Sequence, residues 1–263
     1  MPRDSRYTCR MPDFTEAKVL ITGAASGIGA AVATRLAAAG VRKLILVDRD
    51  EVKLRDFGFT LPCERQPIIG DVADEALWGA ADLTGLTHAF VNAGIGEGGP
   101  LAELELETWR RVMSVNLDGA FLTLQAALRA IRSTGGGGSI VLTASVAGVK
   151  AEAGMGAYAV SKAGVIHLAR IAAKEGAPDG IRVNAIAPGG VETPIWTGVP
   201  MFQEMAKSLG SEAAAFKAMA SVSTPLGRFG TADEIAAQVA FLLSDEAGFT
   251  TGACWVSDGG YSL

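Results

Sequence analysis

Cysteine and histidine are scarce in this chain. The cysteines are Cys9, Cys63 and Cys254, scattered and odd in number. They offer no CxxC pair and no disulfide framework, which fits a reducing, cytoplasmic setting. The two histidines, His88 and His167, lie far apart without an acidic or cysteine partner at ligand spacing, so no metal centre is expected. An excess of one charge is also missing. The 23 basic and 28 acidic residues are interspersed, for a net charge of −5. That leaves no clustered basic face for a nucleic acid. No apolar run reaches the roughly 18 residues needed to span a bilayer. The opening stretch, MPRDSRYTCRMPDFTEAK, lacks an apolar core segment and so does not read as a secretory signal. Residues 1–14 are expected to be a loose tail, with Met11 as a second candidate start.

What is present is an apolar fraction of 49 % in 263 residues, enough for a substantial core. Short runs rich in Val and Ile read as strands: 18–22, 43–48, 66–71, 88–92, 139–144, 181–187 and 253–258. Such uniformly apolar strands suit a parallel sheet buried on both faces. Ala- and Leu-rich stretches at 27–39, 74–82, 106–132, 156–174 and 231–243 read as helices. The alternation predicts an α/β fold: a Rossmann-like, doubly wound, mostly parallel seven-stranded sheet with helices on both faces. No break in composition divides the chain, so 15–263 is expected to be one domain. The glycine run at 134–138 reads as a turn. Residues 190–225 fit the alternation worst. They carry Trp196, Met201, Phe202, Met205, Phe216 and Met219, and read either as a lid over a pocket or as a packed helical flap.

KVLITGAASGIGAAVATRLAAAG (18–40) is a strand, a glycine turn and a helix. Gly23, Gly27 and Gly29 permit a tight turn and a close backbone approach. The helix that follows presents free N–H groups and a positive dipole end to a pyrophosphate. Ala24, Ala25, Ser26 and Ile28 fill the turn, which holds no basic residue. Asp48 ends the second predicted strand. A carboxylate there accepts hydrogen bonds from an adenosine ribose and repels a 2′-phosphate. NAD(H) is therefore expected over NADP(H), although the neighbouring Arg49 could receive a phosphate.

The motifs TGAASGIG (22–29), DV (71–72), NAG (92–94), Asn116, Ser145, YAVSK (158–162), PGGVET (188–193) and DGGY (258–261) occur in this order. From about residue 15 to its end the chain resembles the short-chain dehydrogenase/reductase family, in its single-domain oxidoreductase branch, with a generic likeness to 3-oxoacyl-carrier-protein reductases. The resemblance implies a catalytic set of Asn116, Ser145, Tyr158 and Lys162. It places Asp71 and Val72 beside the adenine, and Asn92, Ala93 and Gly94 along the cofactor wall. Pro188, Gly189, Val191 and Thr193 would hold the nicotinamide end. It also implies a homotetramer or homodimer packed through the two long helices. Two departures stand out: Val91 replaces a second asparagine before NAG, and only 21 positions separate Asp71 from Asn92, which predicts a short helix between them.

Oxidising an alcohol with NAD removes a hydride and a proton, and the proton needs a base poised near working pH. Tyr158 and Lys162 are four residues apart and share a helix face. A nearby ammonium would lower the phenol's pKa. Ser145, after a strand, would hold the substrate oxygen, and Asn116 would support a water linking Lys162 to solvent. Met155 and Trp196 are candidate substrate contacts, with Trp196 equally able to pack within the flap. Glu152 reads as a solvated carboxylate, and His167 lies about 180° around the helix from Tyr158. The expected activity is an NAD-dependent interconversion of a secondary alcohol and its ketone, on a largely apolar small molecule. The rivals are a 3-oxoacyl-thioester reductase, a non-catalytic NAD(H)-binding sensor, and an epimerase or dehydratase using bound NAD.

Overall fold

The structure, a computed structural model, describes residues 12–263. Strand β1 (Lys18–Thr22) pairs in parallel with β2 (Lys43–Asp48) on one side and with β4 (His88–Val91) on the other. With β3 (Glu64–Ile69), β5 (Gly138–Thr143), β6 (Ile181–Pro188) and β9 (Cys254–Ser257), the sheet runs β3-β2-β1-β4-β5-β6-β9. All of its pairings are parallel. This is the doubly wound, Rossmann-like sheet expected. The order reverses between β1 and β4, and the crevice above their C-terminal ends is where such a fold binds ligands.

Alternate residues of each strand feed two cores. Val19, Ile21, Leu44, Leu46, Phe90, Val141 and Ile186 face helices α1 (Gly27–Ala38) and α9 (Ala232–Leu243). Leu20, Ile45, Val47, Val91, Ile140 and Leu142 face α5 (Gly119–Thr134) and α6 (Gly156–Gly176). Most of these side chains are fully buried, each contributing about 1.5–3 kcal/mol.

Several expectations change in detail. Helix α2 (Glu51–Phe59) was not expected; it buries only Leu54 and Gly58 and so has no apolar period to read. Its start is marked by Asp50, which accepts from Lys53 N at 3.0 Å. The short helix α3 (Glu75–Ala80) buries no residue, in keeping with the narrow spacing before Asn92. The long helix expected over 106–132 is two helices, α4 (Leu106–Met113) and α5, joined by a π-turn at Ser114–Asp118. The 190–225 segment is a helical flap made of α7 (Pro200–Leu209) and α8 (Glu212–Ser223). A two-stranded pairing of β7 (Val191–Glu192) with β8 (Gly230–Thr231) closes its base. Of the expected tail, residues 1–11 lie outside the described residues. Phe14, however, is packed: it is 2 % exposed and lies edge-on to His88 at 5.9 Å. No helix of the described residues is long and apolar enough to cross a membrane.

Candidate active site

The glycine turn is built by close backbone approach. Gly23 and Gly27 have φ of +64° and +54°, a region that favours glycine. A Cβ on Gly29 would lie 2.1 Å from the Gly23 carbonyl oxygen, so α1 can begin this tightly only with glycine there. Ser26 precedes α1 in extended conformation, and its hydroxyl makes no capping bond. Ile28 packs against the core. A Cβ on Gly27 would sit 3.5 Å from Thr193, so the turn faces the start of the flap.

Asp48 closes the turn from the β2 side. Its carboxylate accepts from Ala25 N and Asp50 N, both at 3.0 Å. Each oxygen keeps a lone pair for a further donor. Arg49 is exposed beside it. These features fit a dinucleotide: a cradle that a Cβ would fill, a helix N-terminus, and a carboxylate at the end of β2 beside the turn. Asp71 is exposed and accepts from Ala73 N at 2.9 Å. Val72 is buried, and its carbonyl accepts from the Trp78 indole at 2.9 Å.

Asn92 ties three strand ends together. Its amide donates to the Thr22 carbonyl at 3.1 Å, and its oxygen accepts from the Thr143 hydroxyl at 3.0 Å. Ala93 N donates to Thr22 Oγ1 at 3.1 Å. A Cβ on Gly94 would lie 3.2 Å from Asn116 Oδ1 and 3.3 Å from Lys162 Nζ, so this glycine lets the two side chains approach. On the other wall Pro188 ends β6, Gly189 N donates to the Ser257 carbonyl at 2.9 Å, and Val191 is buried.

The π-turn explains Asn116. π-bulges often occur at functional sites, and this one presents a buried amide to the crevice wall. Asn116 Oδ1 accepts from Ile95 N at 2.8 Å. Its Nδ2 donates to the Ile95 carbonyl at 3.0 Å and to Ser161 Oγ at 3.2 Å. Ser145 follows β5 and caps a single 3-10 turn, accepting from Ala147 N at 3.2 Å. Gly148 lets that turn pack against α6, since a Cβ there would lie 2.7 Å from Ala163 N.

Tyr158 and Lys162 sit one turn apart on α6, as their spacing implies. Lys162 is 4 % exposed, and Nζ donates to the Thr143 carbonyl at 2.8 Å. Burial pulls its pKa down to about 8. The expectation that this ammonium acidifies the phenol is corrected by the geometry. Nζ lies 5.8 Å from the Tyr158 ring centroid and is bonded elsewhere. Desolvation dominates and pushes the Tyr158 pKa up, while a hydrogen bond with the Ser145 side chain pulls it back.

The structure thus brings Asn92, Gly94, Asn116, Ser145, Tyr158 and Lys162 to one crevice. Thr143, missed in the sequence, belongs with them: its carbonyl holds Lys162 and its hydroxyl holds Asn92. Its place two residues before Ser145, at a strand end, was the available signal. Met155 is half-buried immediately before α6 and bridges to Gly99. Trp196 packs within the flap: its ring stacks on Phe229 at 5.5 Å, and its indole N–H donates to the Val191 carbonyl at 2.8 Å. His167 is exposed on the outer side of α6.

A family model described as enoyl-(acyl carrier protein) reductase matches residues 23–262. The chain is 38 % identical to cis-4-hydroxycyclohexanecarboxylate dehydrogenase of Sinomonas cyclohexanicum, over 95 % of this chain and 98 % of that one. It is 37 % identical to cyclohexanol dehydrogenase of Acinetobacter sp. strain SE19, over 95 % and 96 %. A carveol dehydrogenase from Mycobacterium avium, solved in complex with NAD, superposes with a TM-score of 0.87 at 29 % identity, covering 95 % of this chain and 99 % of that one. Agreement of this extent, with the sheet order and the crevice described above, shows that the chain belongs to the short-chain dehydrogenase/reductase family.

Proposed function

We propose that residues 15–263 form an NAD(H)-dependent oxidoreductase domain that interconverts a secondary alcohol and its ketone. The observation that carries this reading is the gathering in one crevice of Ser145 beyond the end of β5, Tyr158 on α6 and, one helical turn on, the buried Lys162 held by the Thr143 carbonyl. When bound, the nicotinamide supplies the hydride acceptor or donor. Ser145 holds the substrate oxygen, and Tyr158 takes its proton during oxidation or returns it during reduction. Lys162, fixed by Thr143, supplies positive charge to the crevice. Asn116, locked on both sides by Ile95, stands beside Lys162 over Gly94 and supports a proton path to solvent. Asp48 accepts from the ribose hydroxyls and repels a 2′-phosphate. Asp71, Val72, Ala93, Pro188, Gly189, Val191 and Thr193 line the cofactor.

The named relatives act on ring alcohols, and Met155 with the apolar flap suits a ring of that kind. Trp196 serves here by holding the flap, its N–H being already engaged. A homodimer or homotetramer is part of the reading, supported by exposed Phe121, Val160 and Ile171 on α5 and α6. A cytoplasmic location is supported by the free Cys63 and Cys254. A relative from Rattus norvegicus named (3R)-3-hydroxyacyl-CoA dehydrogenase, 36 % identical over 93 % of this chain and 95 % of that one, favours a second reading, a 3-oxoacyl-thioester reductase.

The test is a comparison of kcat/KM with NAD and NADP on cyclohexanol-type alcohols, and with NADH and NADPH on an acyl thioester. Preference for NAD of about tenfold or more on the alcohols is expected. Turnover of the thioester alone, driven by NADPH, would transfer the assignment to the second reading.

A further inference from the structure

The C-terminal segment, Asp258–Leu263, touches three walls of the crevice. At the end of β6, a Cβ on Gly189 would lie 2.8 Å from Asp258 Cα. At the end of the flap, Leu226 N donates to the Gly259 carbonyl at 3.1 Å, and a Cβ on Gly260 would lie 2.9 Å from Pro225 Cγ. The third wall is the loop 149–155, which leads from Ser145 to Met155 and Tyr158. Here the Tyr261 hydroxyl donates to the Glu152 carboxylate. Lys150 Nζ donates to the Tyr261 carbonyl at 3.0 Å and lies 4.6 Å from its ring centroid. The segment is itself held in shape by Asp258, which accepts from Gly260 N at 2.9 Å and Ser262 N at 2.8 Å.

Resting on the oxidoreductase reading above, we propose that Tyr261 is a positioning residue: through Glu152 it fixes the 149–155 loop, and with it Met155, so as to set affinity for the alcohol. An exposed hydrogen bond between two neutral groups alone would contribute little. A hydroxyl donated to a carboxylate is stronger and more directional, and here it joins segments 109 positions apart. Desolvation, with Glu152 second, pushes the Tyr261 pKa up to about 12, so the phenol stays a donor through the neutral and mildly alkaline range. Glu152, expected to be a solvated carboxylate, is therefore engaged. The loop is braced from outside the crevice, and neither Glu152 nor Tyr261 needs to touch the reacting atoms.

The experiment uses the full chain with NAD and a ring alcohol. Tyr261→Phe keeps the ring under Lys150 and removes only the hydroxyl; Glu152→Ala removes the acceptor and Glu152→Gln keeps one. Tyr261→Phe and Glu152→Ala should each raise KM for the alcohol about five- to tenfold, lower kcat by less than about threefold, and leave KM for NAD within about twofold. The double variant should be no worse than either single one, because both break one bond. Glu152→Gln should restore KM to within about twofold of wild type. Amide exchange at 149–155 should quicken in Tyr261→Phe while Tm moves by less than about 2 °C. An unchanged alcohol KM with unchanged exchange would overturn the proposal, as would additive single effects or a parallel loss in kcat and NAD affinity. If the wild-type chain turns over no alcohol, the oxidoreductase reading falls on its own. Exchange then decides the brace: faster exchange in Tyr261→Phe sustains it and unchanged exchange overturns it.

Discussion

The Lys162 ammonium is buried against the Thr143 carbonyl, and burial lowers its pKa from 10.5 to about 8. An unfolded chain would hold that proton more tightly between pH 8 and 10.5. Stability therefore rises with pH across that window as the folded lysine becomes neutral. Below it, the charged group costs about 3 kcal/mol relative to water. Removing it also removes a hydrogen bond, so Lys162→Met is expected to stabilise the chain at pH 7 by about 1–2 kcal/mol. The same change should lower kcat by about a hundredfold or more. Thermal unfolding and steady-state rates on one preparation check both halves. Tyr158 is shifted the other way, upward by desolvation. Its phenolate form grows with pH, so kcat/KM for alcohol oxidation should climb about tenfold per pH unit on the acid side of its profile. Ketone reduction, which needs the phenol, should fall over the same range. A flat profile for oxidation between pH 6 and 9 would speak against Tyr158 as the base.

The glycine turn and α1 act as one element. Gly29→Ala would force a Cβ against the Gly23 carbonyl, and the strand-to-helix junction would have to open. NADH affinity, read by fluorescence titration, should fall at least about a hundredfold, with a loss of several kcal/mol in stability. This element was legible because its glycines and following helix are dictated locally. The same holds for the five inner strands, whose apolar runs need no tertiary information; the edge strands β3, which begins two residues before the expected 66–71, and β9 are only partly buried and read less clearly. Other elements were hidden for physical reasons. Helix α2 turns most of its side chains to water and buries only Leu54 and Gly58. The π-turn at Ser114–Asp118 adds no residue type that periodicity can register; only the burial of Asn116 shows its purpose. In the flap, Phe202 and Phe216 were legible as apolar, but composition does not tell which side they face. They pack on each other at 4.6 Å and on Trp196 at 5.9 and 6.3 Å. The bonding of the Lys162 ammonium to Thr143 was hidden too, since i to i+4 spacing gives a shared face and says nothing of the competing Thr143 carbonyl.

Across the whole molecule, chemistry and stability sit at opposite ends of the sheet. The C-terminal ends of the strands carry the crevice. At the other end, Arg182 donates to the Leu242, Leu243 and Ser244 carbonyls at 2.8–3.1 Å, closing the last turn of α9. Ser139 Oγ adds a bond to Leu242 at 3.1 Å. His88 lies at this end, its Nδ1 2.8 Å from the Thr87 hydroxyl, and burial lowers its pKa from 6.5 to about 4. Between those values the unfolded chain binds the proton and the folded one does not. The His88 contribution is thus complete above pH 6.5 and is lost as pH falls toward 4, at up to about 1.4 kcal/mol per unit. Urea unfolding of wild type and His88→Gln at several pH values should show a shallower acid slope in the variant. Equal slopes would remove His88 from the acid response.

The central claim is that the Tyr158 hydroxyl exchanges the substrate proton. Its most direct measurement is NADH formation at 340 nm from a ring alcohol, for wild type and Tyr158→Phe, with NADH affinity titrated in parallel. The expected result is a fall in kcat of about a thousandfold, with the NADH Kd within about twofold of wild type. A variant that keeps kcat within about tenfold of wild type would contradict the account.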